Sequence, residues 1–365
     1  MVTQLPVVRP PAEALFADEL AALRENDVAP RPAGWHVSPR GVRRFLVGDR
    51  ALKITRKFYG DDALVERAIV DLMGDQGLLL VGEPGTAKSM LGELLAAAVS
   101  GRSNLVVQGS AGTTEDHVRY GWNYALLLAE GPSEKALVPS PVLEGMRQGR
   151  IVRFEEITRT PPEIQDTLIS ILSEKVIAIP ELGEDQAVFA APGFNIVATA
   201  NIRDRGVHEM SSALKRRFNF ETVLPISDPN LERELIASQL QRRLVRSDLR
   251  IDVSEEVLDL LVATFQDLRL GRTRDGAPVP RPDAVMSTAE AVNVAHAAAL
   301  DAIYFGEGRV TGAHVARQLT GVILKDNAED LRKLAAYVDH VVKERSRRSR
   351  AWKDMLAVLK ARQSL

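Results

Sequence analysis

Four consecutive apolar residues, Leu78-Leu79-Leu80-Val81, run into a glycine-rich turn and then into a helix carrying Leu94 and Leu95. A short strand with no polar alternation must be covered on both faces, the condition of a parallel sheet held between helices. Further apolar runs at Leu105–Val107, Ile151–Phe154, Phe194–Ala200 and Thr222–Ile226 repeat the signal. Helical stretches alternate with them: residues 61–73 precede the first run, and Pro161-Pro162 opens another after Ile151–Phe154. Ile177–Ile179 and Ala187–Ala190, separated by Glu181–Asp185, read as a hairpin inserted before the fourth strand. The expected class is α/β with a parallel sheet.

After Pro229 the strand signals stop. Residues 254–268 place Leu258, Leu261, Val262, Phe265 and Leu268 on one helical face, with Ser254 as N-cap. Ser287-Thr288-Ala289-Glu290 has the spacing of a capping box, and Thr311 starts a helix reaching about Leu324. This is a smaller, all-helical domain. At the other end, residues 1–12 hold Pro6, Pro10 and Pro11 without periodicity and read as a mobile tail, followed by a short helix at 13–25.

Composition removes several chemistries. The chain has no cysteine, so a disulfide framework, a thiol nucleophile and a cysteine metal site are excluded. Its 6 histidines show no H-x-x-x-H spacing, which argues against a protein-built zinc site. With 47 basic and 49 acidic residues, net −2, no overall field points to nucleic acid or an anionic membrane. The N-terminus lacks a secretory pattern, and no apolar run reaches the roughly 18 residues of a membrane span. The expectation is a cytoplasmic chain with no membrane partner.

The turn Gly82-Glu83-Pro84-Gly85-Thr86-Ala87-Lys88-Ser89 fits G-x-x-x-x-G-K-[ST] except at Ala87. A strand before it and a helix after it are the context a phosphate-binding loop requires. Backbone N–H groups at the helix start would face phosphates, Lys88 would reach the β- and γ-phosphates, and the Ser89 hydroxyl would ligate Mg²⁺. Glu155 and Glu156 close the strand Ile151–Phe154. Ligands bind at the carboxyl ends of strands in open α/β sheets, and phosphoryl transfer to water needs an acid near Mg²⁺ and a base near the water. Asn201 follows the fourth strand, where a neutral amide can orient that water or bond the γ-phosphate. Leu214-Lys215-Arg216-Arg217-Phe218 completes the series as a basic helix end.

The ordered set GEPGTAKS, FEE, hairpin, ATAN and LKRRF, followed by a helical domain, resembles the MoxR branch of the AAA+ ATPases. That branch is related to ATPases partnered with von Willebrand factor A proteins and to dynein-like modules. The resemblance covers residues 60–325. It implies a five-stranded P-loop core, a helical lid and a ring, usually a homo-hexamer, with ATP and Mg²⁺ bound between subunits. It divides the chain into an N-terminal extension (1–59), an AAA+ nucleotide-binding core (60–228), a helical lid (229–325) and a charged helical tail (326–365). By motif position, Gly82, Glu83, Pro84, Gly85, Thr86, Ala87, Lys88, Ser89 and Met90 form Walker A. Ser89 and Glu155 are assigned to the metal, Glu156 to catalysis and Asn201 to sensor 1. Arg217 takes the place of the finger reaching a neighbour's γ-phosphate, with Arg216 as the fallback.

Three departures imply slow hydrolysis. Glu155 stands where the family usually has Asp, Ala87 replaces a glycine, and Ser287-Thr288-Ala289 lacks the Arg of sensor 2, for which Arg281 is a substitute. The implied function is an ATP-hydrolysing remodeller of a partner protein, one carrying a von Willebrand factor A domain by analogy. The alternatives are a nucleic-acid-associated motor, not favoured, and a slow nucleotide-gated assembly switch. Outside the core, Arg40, Arg43, Arg44, Arg50, Lys53, Arg56 and Lys57 face Asp49 alone, and Lys343, Arg345, Arg347, Arg348 and Arg350 crowd the tail. Both read first as solvated faces and second as contacts to an anionic partner. Tyr120, Trp122 and Tyr124, in a long insert from Gly109 to Pro141, either line a ring pore or pack the insert.

Overall fold

The chain is described from a computed structural model at residues 8–183, 185–201, 208–284, 286–323 and 328–363. Most of the expected 1–12 tail, residues 1–7, and the expected helix end at Leu324 lie outside these. Contacts divide the chain into two compact units, residues 1–83 with 87–224, and residues 225–365 with the loop tip Pro84–Thr86.

In the first unit, α1 (Ala17–Asn26), α2 (Pro39–Val47) and α3 (Asp62–Met73) lead into β1 (Gly77–Gly82) and α4 (Lys88–Ser100). Then follow β2 (Val106–Gln108), α5 (Pro141–Gln148), β3 (Ile151–Glu155), α6 (Pro162–Glu174), β4 (Asn195–Asn201) and β5 (Phe218–Thr222). The five strands form one parallel sheet in the order β2-β3-β4-β1-β5.

Burial explains the apolar runs. Leu78 and Leu80 join one core with Leu91 and Leu95 of α4, whereas Leu79 faces the opposite core with Phe154, Ile196 and Leu168. Consecutive side chains of a strand point to opposite faces, so a sheet covered twice needs leucine at every position. The hairpin pairs Val176–Ala178 with Ala187–Phe189 antiparallel.

Three expectations need correction. The fifth strand is Phe218–Thr222, not Thr222–Ile226. It is a sheet edge pairing only with β1, so its sequence mixes Phe218, Asn219 and Glu221, while the apolar run beyond it leaves Leu224 72% exposed. The first helix is two pieces, Ala12–Leu15 and α1, divided at Phe16, whose ring packs edge-on against Phe45 at 5.8 Å. Ala12, placed in the tail, is buried, and nearby Arg9 pairs with Glu93 at 3.0 Å.

The basic stretch 36–57 is largely neutralised in place. Arg43 pairs with Glu66, Arg44 with Asp49 and Arg56 with Asp62. Lys57, 1% exposed, pairs with Glu19 beneath the rings of Phe16 and Phe45. In the insert, strands Tyr120–Trp122 and Leu137–Pro139 pair antiparallel around a short helix, Tyr124–Glu130. Tyr120 and Trp122 pack edge to face, and the Tyr120 hydroxyl donates to Glu181 at 2.9 Å, whereas Tyr124 is 70% exposed.

The second unit is helical: α7 (Pro229–Arg246), α8 (Glu255–Leu270), α9 (Thr288–Tyr304), α10 (Gly312–Ile323) and α11 (Arg350–Gln363). The capping box at Ser287 and Glu290 forms as its spacing predicts. Ser254 sits at the N-cap of α8, but its side chain makes no capping bond. Phe265, Ala298, Val315, Tyr337, Trp352 and Met355 share one core, so the charged tail buries its apolar residues with the preceding helices. Arg345 of that tail donates to Asp267 at 2.7 Å and lies over the Trp352 ring. Among the described residues no helix is long and apolar enough to cross a membrane.

One buried ion pair pins three of these helices. Glu232 of α7, 0% exposed, accepts from Arg269 of α8 at 2.7 Å, from Thr288 of α9 at 2.6 Å and from Gln266 at 2.8 Å. Removing one partner strands the other charge out of water. Arg269→Ala should therefore lose about 3–5 kcal/mol in urea unfolding, whereas the paired replacement Arg269→Met with Glu232→Leu should come close to wild type. A loss below about 1 kcal/mol for the single variant would show that Glu232 reaches solvent.

Candidate functional site

The carboxyl ends of β1, β3 and β4 bring three of the sequence motifs together: the Gly82–Ser89 turn, the glutamate pair and Asn201. Lys88 and Ser89 open α4 directly after β1. Glu155 ends β3, and Asn201 ends β4 in register with Gly82, the last residue of β1. The loop turns on two left-handed residues, Gly85 at φ 78° and Ala87 at φ 69°. Glycine adopts this conformation freely, but an alanine Cβ crowds its own backbone there by roughly 1–2 kcal/mol. The departure at Ala87 thus falls on a position whose backbone suits glycine.

Lys88 is 6% exposed and donates to the carbonyls of Gly82 at 3.1 Å and Glu83 at 2.8 Å. Burial pulls its ammonium down to about 8, against the opposing pull of Glu156, Glu155 and Glu83. A buried cation hydrogen-bonded to neutral carbonyls is poised to take an anion. Met90 packs against the core beneath α4.

Glu155 is 5% exposed and fully bonded. Its Oε2 accepts from Ser89 Oγ at 2.6 Å and Thr199 Oγ1 at 2.8 Å, and its Oε1 from Arg153 Nε at 3.0 Å and Nη2 at 2.7 Å. Three hard oxygen donors, from Ser89, Glu155 and Thr199, converge here, and that donor set suits a small divalent cation retaining much of its water. Sequence reasoning missed Arg153 and Thr199. The available signal was polar residues set inside the apolar runs Ile151–Phe154 and Ile196–Ala200.

Glu156 differs from its neighbour. Its backbone is left-handed, φ 53°, its N–H donates to Thr199 Oγ1 at 2.9 Å, and its half-buried carboxylate pairs with Arg159 at 2.7 Å. A β-carbon-bearing residue held in the left-handed region is a pattern that clusters at functional sites.

Arg216 and Arg217 are not brought to this group. The Arg217 carbonyl accepts from Gly77 N, at the start of β1, whereas the phosphate-loop motif lies at its end. At roughly 3.3 Å per residue, β1 separates the two by more than about 15 Å. The Arg217 guanidinium bonds Ser173 Oγ at 2.6 Å on α6, and Arg216 is exposed. Arg281 is an exposed residue of the second unit.

Residues 77–218 match the AAA domain of the dynein-related subfamily, and residues 230–363 match the YehL-like AAA+ ATPase C-terminal domain. The chain is 53% identical over 335 residues to YehL of Escherichia coli (strain K12), covering 92% of each chain. A Staphylococcus aureus (strain USA300) protein is 33% identical over 153 residues, 42% of this chain and 56% of that one. Among solved structures, NtrX from Brucella abortus superposes with TM-score 0.48 at 12% identity. The superposition covers 82% of this chain and 62% of NtrX, less than two thirds of the neighbour's length. NtrX in complex with ATP gives the same score, covering 84% and 69%.

The strain at Ala87 is testable without any ligand. Ala87→Gly should raise the melting temperature, by up to about 1 kcal/mol in stability, because glycine relieves the left-handed crowding and gives back part of the gain as chain entropy. A clear drop in melting temperature would mean that Ala87 is not strained there.

Proposed function

The chain belongs to the YehL-like AAA+ ATPases, and from that premise we propose that it binds ATP at the end of β1 and hydrolyses it. The observation that carries this reading is the convergence of Lys88, Ser89, Glu155, Glu156 and Asn201 at one end of the sheet. In this reading residues 60–228 are the nucleotide-binding core and 229–325 the lid, with 1–59 and 326–365 flanking them.

Gly82 to Met90 wrap the phosphates with backbone N–H groups, helped by the dipole of α4. Lys88 exchanges its bonds to the Gly82 and Glu83 carbonyls for bonds to the β- and γ-phosphates. Ser89 and Glu155 would hold Mg²⁺, which when bound offsets phosphate charge. Glu156, once released from Arg159, accepts the proton of the attacking water, and Asn201 orients that water.

Arg217 cannot serve its own subunit's phosphates across the length of β1. It completes the site of a neighbouring copy, which argues for an oligomer, and the MoxR resemblance suggests that this is a homo-hexameric ring. Hydrolysis then drives the remodelling of a partner protein in the cytoplasm, as the MoxR resemblance suggests, with a von Willebrand factor A protein as the partner class.

Isothermal calorimetry and phosphate release test the core of this reading. Lys88→Ala should abolish ATP binding, and unchanged affinity would reduce the loop to a turn. Glu156→Gln should bind ATP like wild type but hydrolyse it at least about 100-fold more slowly, since an amide cannot accept the proton. If Glu155→Gln shows that pattern and Glu156→Gln does not, the two roles are reversed.

Mixing variants tests the shared site. Arg217→Ala should lower the rate about 10³-fold or more, as an absent arginine finger does. Lys88→Ala subunits retain the finger, so mixing them with Arg217→Ala subunits should restore measurable turnover. A monomer hydrolysing ATP at the full wild-type rate would rule out a finger supplied by a neighbour.

A further inference from the structure

The carboxylate at the end of β3 has a cationic partner that the nucleotide reading leaves unused. Arg153 lies two residues before Glu155 on the same face of β3, and its side chain is 11% exposed. Its Nε and Nη2 both bond Glu155 Oε1, while Nη1 donates to the Ser103 carbonyl at 3.0 Å. The other oxygen, Oε2, faces Ser89 and Thr199. One carboxylate thus divides its two oxygens between a guanidinium and the hydroxyls where a divalent cation would be held. A guanidinium does not lose its proton in a protein, so this positive charge is permanent.

The helix α4 passes close to that charge at a glycine. Gly92 lies inside α4, where glycine is unfavourable by roughly 1 kcal/mol per residue relative to alanine. A Cβ there would come within 3.3 Å of Val197 Cγ1 and 4.0 Å of Arg153 Nε. The glutamate is also one methylene longer than aspartate, and it reaches Arg153 and Ser89 at once.

We propose that Arg153 is a positioning residue that neutralises Glu155 and so weakens divalent-cation binding beside Ser89, leaving ATP binding nearly independent of the metal. This rests on the ATP-binding reading above. Mg²⁺ is ordinarily held by one or two carboxylates together with substrate phosphates, so cancelling the charge of the one carboxylate bonded to Ser89 removes much of the protein's hold. A fixed cation on the same carboxylate also repels the metal in a partly desolvated site, where charges interact more strongly than in bulk water.

The test titrates Mg²⁺ into full-length protein, with and without ATP, by calorimetry and thermal melting. Wild-type affinity for ATP should change less than about threefold between chelator and saturating Mg²⁺. In Arg153→Met, half-saturation by Mg²⁺ should fall about tenfold or more, the scale of removing one nearby charge at a protein site. Without nucleotide, Mg²⁺ alone should raise the melting temperature of Arg153→Met and leave wild type unmoved. Arg153→Lys, which keeps the charge, should stay close to wild type in its Mg²⁺ half-saturation.

The outcomes separate. Wild type that binds no ATP in either condition overturns the nucleotide reading. Wild type that binds ATP, with the same Mg²⁺ half-saturation in Arg153→Met, overturns the role of Arg153 alone. Should the methionine variant not fold, Glu155→Asp draws the carboxylate back from the guanidinium. It should sharpen Mg²⁺ dependence in the same direction, and an unchanged half-saturation overturns the proposal.

Discussion

A single buried carboxylate organises the sheet's working end. Glu155 accepts four hydrogen bonds, from Ser89 on α4, Thr199 on β4 and Arg153 on its own strand. Leaving such a group unpaired out of water would be unfavourable by several kcal/mol, so each partner is held where the carboxylate requires it. The start of α4 is thereby tied to two strands that the chain reaches much later. Thr199 extends the tie, because its hydroxyl also accepts the N–H of Glu156. The left-handed turn at Glu156 is therefore braced from β4.

The second unit repeats the device with different chemistry. Glu232 joins α7, α8 and α9 through Arg269 and Thr288, and Asp267 holds Arg345 and Tyr337. Burial pushes the Asp267 carboxyl up, with Arg345 opposing. Helices rich in alanine, as α9 is, offer little shape to register one against another. Directional bonds in the core supply that register.

Much of this was legible in the chain. The strand, turn and helix from Leu78 to Leu95 were plain because a doubly covered strand leaves no polar position, and the box at Ser287 and Glu290 because capping is local chemistry. The fifth strand was misplaced because an edge strand need not be apolar throughout: Glu221 is answered by Arg67, and the leucine beyond it is exposed. Ser254 had the right residue in the right place and made no bond, since a cap requires a side-chain orientation that spacing does not encode. At the candidate site, Lys88, Ser89 and the glutamate pair followed from motif and context. Arg153 did not, because a lone arginine in an apolar strand gives no hint of which carboxylate it meets.

The two rims of the sheet have a consequence for how copies of this chain can meet. One rim is β2, three residues long. The other is β5, where Glu221 is bridged to Arg67 and Asn219 is bonded to Asp71. Short or charge-decorated rims are poor templates for another strand, and proteins use them to avoid uncontrolled stacking. Both margins of the sheet are therefore poor templates for strand addition, the feature by which sheets avoid edge-to-edge growth. The fold's larger sheet thus keeps its backbone edges for itself, and leaves recognition of other molecules to surfaces other than its two margins.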